Sequence, residues 1–187
     1  MTRKLYIFDM GGVVVQNFDV FGEIYNTLKI SKEQFEKYSG DNFELLLKGK
    51  ISAGQFWQFF SKRYGSPIRR DLMKTFFHPT VDREIVALIT EIKHTARVVC
   101  GTNVIDSHYD YLLQRKDYDL FDKVYASNKI GIAKPDPNFY RYILEHENRV
   151  AADSYFIDDM KENVDAAGEL GIKAVLFTGA AALKVIL

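Results

Sequence analysis

Five short apolar runs punctuate the chain, at residues 4–8, 96–100, 123–126, 154–157 and 172–177, each rich in β-branched or aromatic side chains. Runs this short and this continuously apolar predict strands covered on both faces. From Val81 onward they alternate with helical stretches, of which Val81, Ile85, Leu88, Ile89 and Ile92, three and four residues apart, give one apolar face. That alternation predicts right-handed crossovers and a parallel sheet. Residues 16–79 break the rhythm. They hold no strand pattern, Ser31 with Gln34 and Ser52 with Gln55 have capping-box spacing, and Gly40, Gly49 and Gly65 supply stops. The expectation is an α/β fold: a doubly wound, Rossmann-like parallel five-stranded sheet from residues 1–15 and 80–187, with a small all-helical domain, 16–79, inserted above its carboxyl edge.

The insertion is dense in aromatic residues. Phe56, Phe59, Phe60 and Tyr64 are expected on one helical face, as the core of a small bundle. Trp57, Phe60, Phe43 and Lys48 are candidate pocket contacts, and Gln16 and Asn17 fall near the expected hinge.

Bulk composition narrows the partners. At 187 residues the chain fits one domain carrying an insertion, and 25 basic residues balance 25 acidic ones. No summed field recruits nucleic acid or an anionic membrane, so any anionic ligand must be held locally. The single cysteine, Cys100, lies in an apolar run and is expected to be a buried, inert thiol in a reducing compartment. No apolar stretch approaches the roughly 18 residues of a membrane span, and the first strand follows the N-terminus without a signal-type segment. The expected location is cytoplasmic. The apolar stretch 183–187 either docks internally or marks a contact.

Candidate chemistry sits where strands stop. Asp9 closes the first run just before Met10, Gly11 and Gly12, which aims a carboxylate out of the sheet's carboxyl edge as a nucleophile or a metal ligand. Asp158 and Asp159 close the fourth run, where adjacent charges are costly without a counter-ion such as magnesium. Thr102 and Asn103 end the second, either to grip phosphate oxygens or as ordinary turn residues. Lys134 precedes Pro135, and Asp136 and Pro137 suit the start of a helix, so one cation is held with little freedom. It is a surface lysine or a bridge between aspartate and phosphate.

Taken in order, Phe8-Asp9-Met10-Gly11-Gly12-Val13, Thr102-Asn103, Lys134 and Asp158-Asp159 resemble the four motifs of the haloacid dehalogenase-like hydrolase superfamily. The resemblance covers essentially the whole chain, and the insertion looks like the superfamily's small helical cap. It implies a sheet order of five, four, one, two, three, counting the apolar runs. It also implies that Asp9 attacks phosphorus to form an aspartyl-phosphate that water hydrolyses. Thr102 and Asn103 would hold phosphoryl oxygens, and Lys134 would bridge nucleophile and phosphate. Asp159 would be the principal magnesium ligand, helped by Asp158, Asp9 and the Gly11 carbonyl, with Asn163 orienting the site.

One departure matters. Phosphatases of the superfamily normally carry a second aspartate, the general acid and base, where this chain has Gly11. Glycine still offers a carbonyl to the metal but removes a proton transfer commonly worth roughly 10²–10⁴ in rate. A branch of sugar-phosphate phosphatases, including α-glucose-1-phosphate phosphatases, is similar in having glycine there and a histidine after the Thr-Asn pair, as His108 here. The implied activity is magnesium-dependent hydrolysis of a small phosphorylated metabolite, with a catalytically weak or inactive binding protein as the alternative. A 2-haloacid dehalogenase needs no metal and leaves the acidic pair unexplained.

Overall fold

The computed structural model describes residues 3–186. Its main sheet consists of β1 (Leu5–Phe8), β4 (Arg97–Thr102), β5 (Lys123–Ala126), β6 (Ser154–Asp158) and β7 (Lys173–Leu176), in the order β5-β4-β1-β6-β7 with every pair parallel. Counted by apolar runs, this is the order implied by the resemblance. Phe8 stands opposite Cys100 on one side and Ile157 on the other, so β1, β4 and β6 finish together at one edge.

The strands are apolar on both faces because both are covered. Tyr6, Phe8, Val98, Cys100 and Ile157 pack on one side, against Ile85, Ile89 and Leu112. Leu5, Ile7, Val99 and Phe156 pack on the other, against Phe139, Tyr140, Ile143 and Ala167. Successive residues of β1 thus alternate between two cores, as the pleat requires.

Among the described residues, five helices lie within 16–79: α1 (Phe21–Leu28), α2 (Lys32–Ser39), α3 (Asn42–Leu47), α4 (Ala53–Tyr64) and α5 (Leu72–Phe76). Both capping boxes are formed. Ser31 and Gln34 bond reciprocally at the start of α2, and Ser52 and Gln55 do so at the start of α4. α4 ends at Gly65, whose φ of +86° is left-handed backbone suited to glycine. Six more helices follow: α6 (Arg83–Lys93), α7 (Asp106–Gln114), α8 (Ser127–Ile130), α9 (Pro137–Glu147), α10 (Lys161–Glu169) and α11 (Ala180–Ile186). No helix among the described residues is long and apolar enough to cross a membrane.

Two expectations about residues 16–79 need correction. A two-residue antiparallel pair, β2 (Val15–Gln16) with β3 (Thr80–Val81), joins the two ends of the helical stretch, and Asn17 Nδ2 donates to Thr80 Oγ1 at 3.0 Å beside it. The pair is too short to leave a periodic pattern. In α4 the buried face is Phe56, Trp57 and Phe60, while Phe59 is 38% exposed, because the stripe follows the one-then-three spacing rather than passing through 59. Trp57 donates its indole N–H to Asp71, the residue capping α5, at 3.0 Å. Trp57 and Phe60 therefore serve the bundle, and Lys48 is ion-paired with Glu44. At the other end of the chain Leu183 docks beside α6, whereas Val185 and Ile186 stay exposed and Leu187 lies outside the described residues.

Candidate active site at the carboxyl edge of the sheet

Asp9 continues the sheet by one residue, its N–H donating to the Ile157 carbonyl at 2.9 Å. Its Oδ1 accepts from the Met10 N–H at 2.7 Å and faces Lys134 Nζ at 2.9 Å. The same ammonium donates to Asp158 Oδ2 at 2.7 Å, so one lysine, 5% exposed, ties the ends of β1 and β6 together. The other oxygen of Asp158 accepts from the Met160 N–H at 2.8 Å and from Asn163 Nδ2 at 3.0 Å. Asn163 thus orients the buried acid of the pair. Asp159 turns outward, against Gly12, where a Cβ would lie 2.1 Å from Asp159 Oδ2 and φ is +75°. Only glycine fits that position.

The environment sets the charges. Burial pushes the Asp9 carboxyl up to about 6, with Lys134 opposing the rise and Asp158 adding to it. Burial alone would lower Lys134, but Asp9 and Asp158 outweigh it and hold the ammonium above its ordinary value. Burial, then Asp158, raises Asp159.

One oxygen from each of Asp9, Asp158 and Asp159 lies within 4.8 Å of the others. Three carboxylates against a single ammonium leave an enclosed anionic excess, and hard oxygen donors at this separation match magnesium. The bridge around Gly11 uses the Met10 carbonyl and the Gly12 N–H, which leaves the Gly11 carbonyl outside it. The donor set present therefore fits such a cation.

Thr102, buried at the end of β4, lines a crevice of about 50 Å³ with Met10, Gly11, Asn103 and His108. Asn103 also has a bracing role. Its side chain donates to the Lys134 carbonyl and accepts from the Lys134 N–H, both at 2.8 Å. An amide used at both ends braces the lysine's backbone and keeps a second N–H to offer.

His108 stacks on Phe77 with ring centroids 3.7 Å apart, and its Nε2 lies 3.1 Å from the Met73 carbonyl. A carbonyl only accepts, so Nε2 carries the proton; burial lowers the imidazole to about 4, which leaves Nδ1 bare near neutral pH. His108 then has no second proton to give a leaving group. Cys100 is buried and its thiol is pushed well above the usual value, first by burial and then by Asp9.

Phe18 was not anticipated. Its ring edge would stand 3.1 Å from a Cβ at Gly11, so an aromatic side chain covers the place where the second aspartate of related phosphatases stands. Beyond it opens a pocket of about 340 Å³ between the helical stretch and α7, sharing Phe18, Asn103, Val104 and His108 with the crevice. Of the four pocket contacts anticipated, Phe43 alone lines it.

The model of the haloacid dehalogenase-like hydrolase family matches residues 6–177. Sesquiterpene phosphatase astK of Aspergillus oryzae is 30% identical over 183 residues, covering 95% of this chain and 91% of its own. D-ribitol-5-phosphate phosphatase of Bacteroides thetaiotaomicron is 24% identical, covering 91% and 89%. Among solved structures, a HAD-like hydrolase of Porphyromonas gingivalis superposes with a TM-score of 0.84 at 20% identity, covering 100% of this chain and 98% of its own. A HAD-family enzyme of B. thetaiotaomicron in complex with magnesium and inorganic phosphate gives 0.75 at 24%, covering 92% and 93%. With motifs, sheet order and a family match across most of its length, the chain belongs to the haloacid dehalogenase-like hydrolases.

Proposed function

We propose that the protein is a magnesium-dependent phosphatase of small phosphomonoesters that works through an aspartyl-phosphate on Asp9. The observation that carries this reading is the buried lysine held between Asp9 and Asp158, a cation placed to neutralise a nucleophile and an incoming phosphoryl group together. An Asp9 oxygen attacks phosphorus while the bond from phosphorus to the alcohol oxygen breaks. Water then attacks the same phosphorus, releasing phosphate and restoring the carboxylate. Thr102 holds a phosphoryl oxygen, Lys134 bridges, and Asp9, Asp159, Asp158 and the Gly11 carbonyl would hold magnesium. The bound cation supplies charge neutralisation at the phosphoryl oxygens. Residues 16–79 act as a cap domain that closes the site.

The relatives that hydrolyse phosphate esters, and the related structure holding magnesium and phosphate, support this reading. Gly11 and the ring over it favour a second one, a weak enzyme or a binder of phosphorylated ligands. Phosphate release from p-nitrophenyl phosphate decides between them. Magnesium-dependent turnover, lost with a chelator and in Asp9→Asn, is the expected result; no release from folded protein, or turnover unaffected by Asp9→Asn, would overturn it.

A further inference from the structure

We propose that the alcohol half of the substrate is apolar, a group of aryl or alkyl character rather than a sugar or polyol. This inference rests on the phosphatase reading above and specifies its leaving group. The 340 Å³ pocket adjoins the crevice at Gly11 and Thr102, because Phe18, Asn103, Val104 and His108 line both. A phosphate ester held at Asp9 therefore points its alcohol into this pocket.

The wall there is built from Phe18, Phe21, Phe43, Leu47, Met73 and Ile105, with three polar side chains among the lining residues. Each of the three already makes bonds within the protein. Asn103 uses its oxygen and one N–H on Lys134, and the His108 N–H is spent on the Met73 carbonyl. Asp19, exposed at the rim, accepts from the Phe21 N–H. A polyol entering this space trades water for aromatic edges and finds only the second Asn103 N–H, His108 Nδ1 and Asp19 for its several hydroxyls, so most are left unpaired. No lysine or arginine lines the pocket, so a second phosphate or a carboxylate on the substrate finds no counter-charge and meets Asp19 at the entrance. At the ~30 Å³ that a water-sized group occupies in a liquid, the pocket holds roughly 11 heavy atoms.

Gly11 sharpens the choice. With Phe18 over it and His108 unable to donate, the departing oxygen draws no proton from either position, which favours acidic alcohols such as phenols. Hydrolysis then yields the free phenol or alcohol and inorganic phosphate, with the attacking water supplying both protons and the new oxygen.

The test is a series of 4-alkylphenyl monophosphates from methyl to pentyl, whose phenols differ little in acidity, assayed with magnesium beside p-nitrophenyl phosphate, glucose 1-phosphate and ribitol 5-phosphate. The expected kcat/KM rises by up to roughly fourfold per added CH₂ until the pocket is full, and the polyol esters fall at least about tenfold below the pentyl member. Leu47→Asn, at the end of α3, should reduce the rise per CH₂ to less than about twofold. A flat series, faster turnover of the polyol esters, or an unchanged slope in Leu47→Asn overturns the apolar assignment while the phosphatase reading stands. Absence of release from every ester, p-nitrophenyl phosphate included, overturns the phosphatase reading instead.

Discussion

The floor and the wall of the site are built by opposite rules. On the floor, where β1 and β6 end, the buried charges answer one another: Lys134 reaches both Asp9 and Asp158, and Asn163 holds the far oxygen of Asp158. In the wall, contributed largely by α1, α3 and α5 with the segment before α1, the few polar side chains bond mainly to the protein itself and most of the surface presented is carbon. Strand ends fix a constellation to within tenths of an ångström because the ladders on either side leave them no freedom. Helices packed through aromatic rings can vary what they expose without disturbing those ladders. Under the proposed function, the difference teaches that the reaction and the choice of substrate would be held by separate parts of the chain.

The largest effect should come from breaking the floor. Lys134→Met leaves Asp9 and Asp158 facing each other without a counter-ion, and denaturant unfolding should show a loss of roughly 3–5 kcal/mol near neutral pH. The loss should shrink as pH falls and Asp9 takes up a proton, and magnesium should restore more stability to the variant than to the parent protein. A variant as stable as the parent would mean that the lysine is not what holds the two acids together.

The wall carries its own pH signature. His108 titrates at about 4 when folded and near 6.5 when unfolded, so the unfolded chain gains a proton first as pH falls. Stability from this group is present above 6.5 and is lost toward 4, by on the order of 3 kcal/mol. Asp9, raised to about 6, has the opposite sign, since the folded state binds its proton first between about 4 and 6. Subtracting melting curves of His108→Gln, which can still donate to Met73, isolates the histidine's share, and equal slopes would disprove its burial as a neutral ring.

A smaller effect is expected at the junction of floor and wall. Asn103→Ala removes two bonds to the Lys134 peptide and should cost about 2 kcal/mol, with kcat falling more than KM rises because the ammonium loses its register. Smallest of all, Gly11→Asp pushes on the Phe18 ring and should cost about 1 kcal/mol, a cost removed in Gly11→Asp with Phe18→Ala. The double variant should favour poor leaving groups over good ones, and equal gains on both would show that proton delivery is not what Gly11 removed.

The floor was legible in the sequence, and the wall was not. A strand covered on both faces reads as an unbroken apolar run, so β1, β4 and β6 announce themselves, while the edge strands β5 and β7 keep the apolar pattern with partial cover, and an aspartate closing such a run has only one edge to face. The amide of Asn103 reaches across 31 positions to a backbone, an interaction that no local pattern records. Phe43 and Phe56 look alike in sequence, yet one reaches the pocket and the other the bundle core, because apolar surface is needed in both places. The rungs between Val15 and Val81 and between Gln16 and Thr80 were too few to show a period.

Those two rungs set the departure and return of the helical excursion side by side. A detour whose ends already touch can be exchanged without rethreading anything else, as in a socket that accepts different fittings. Grafting the corresponding stretch of a relative between residues 17 and 79 would then transplant taste for a molecule while leaving the underlying reactor in place.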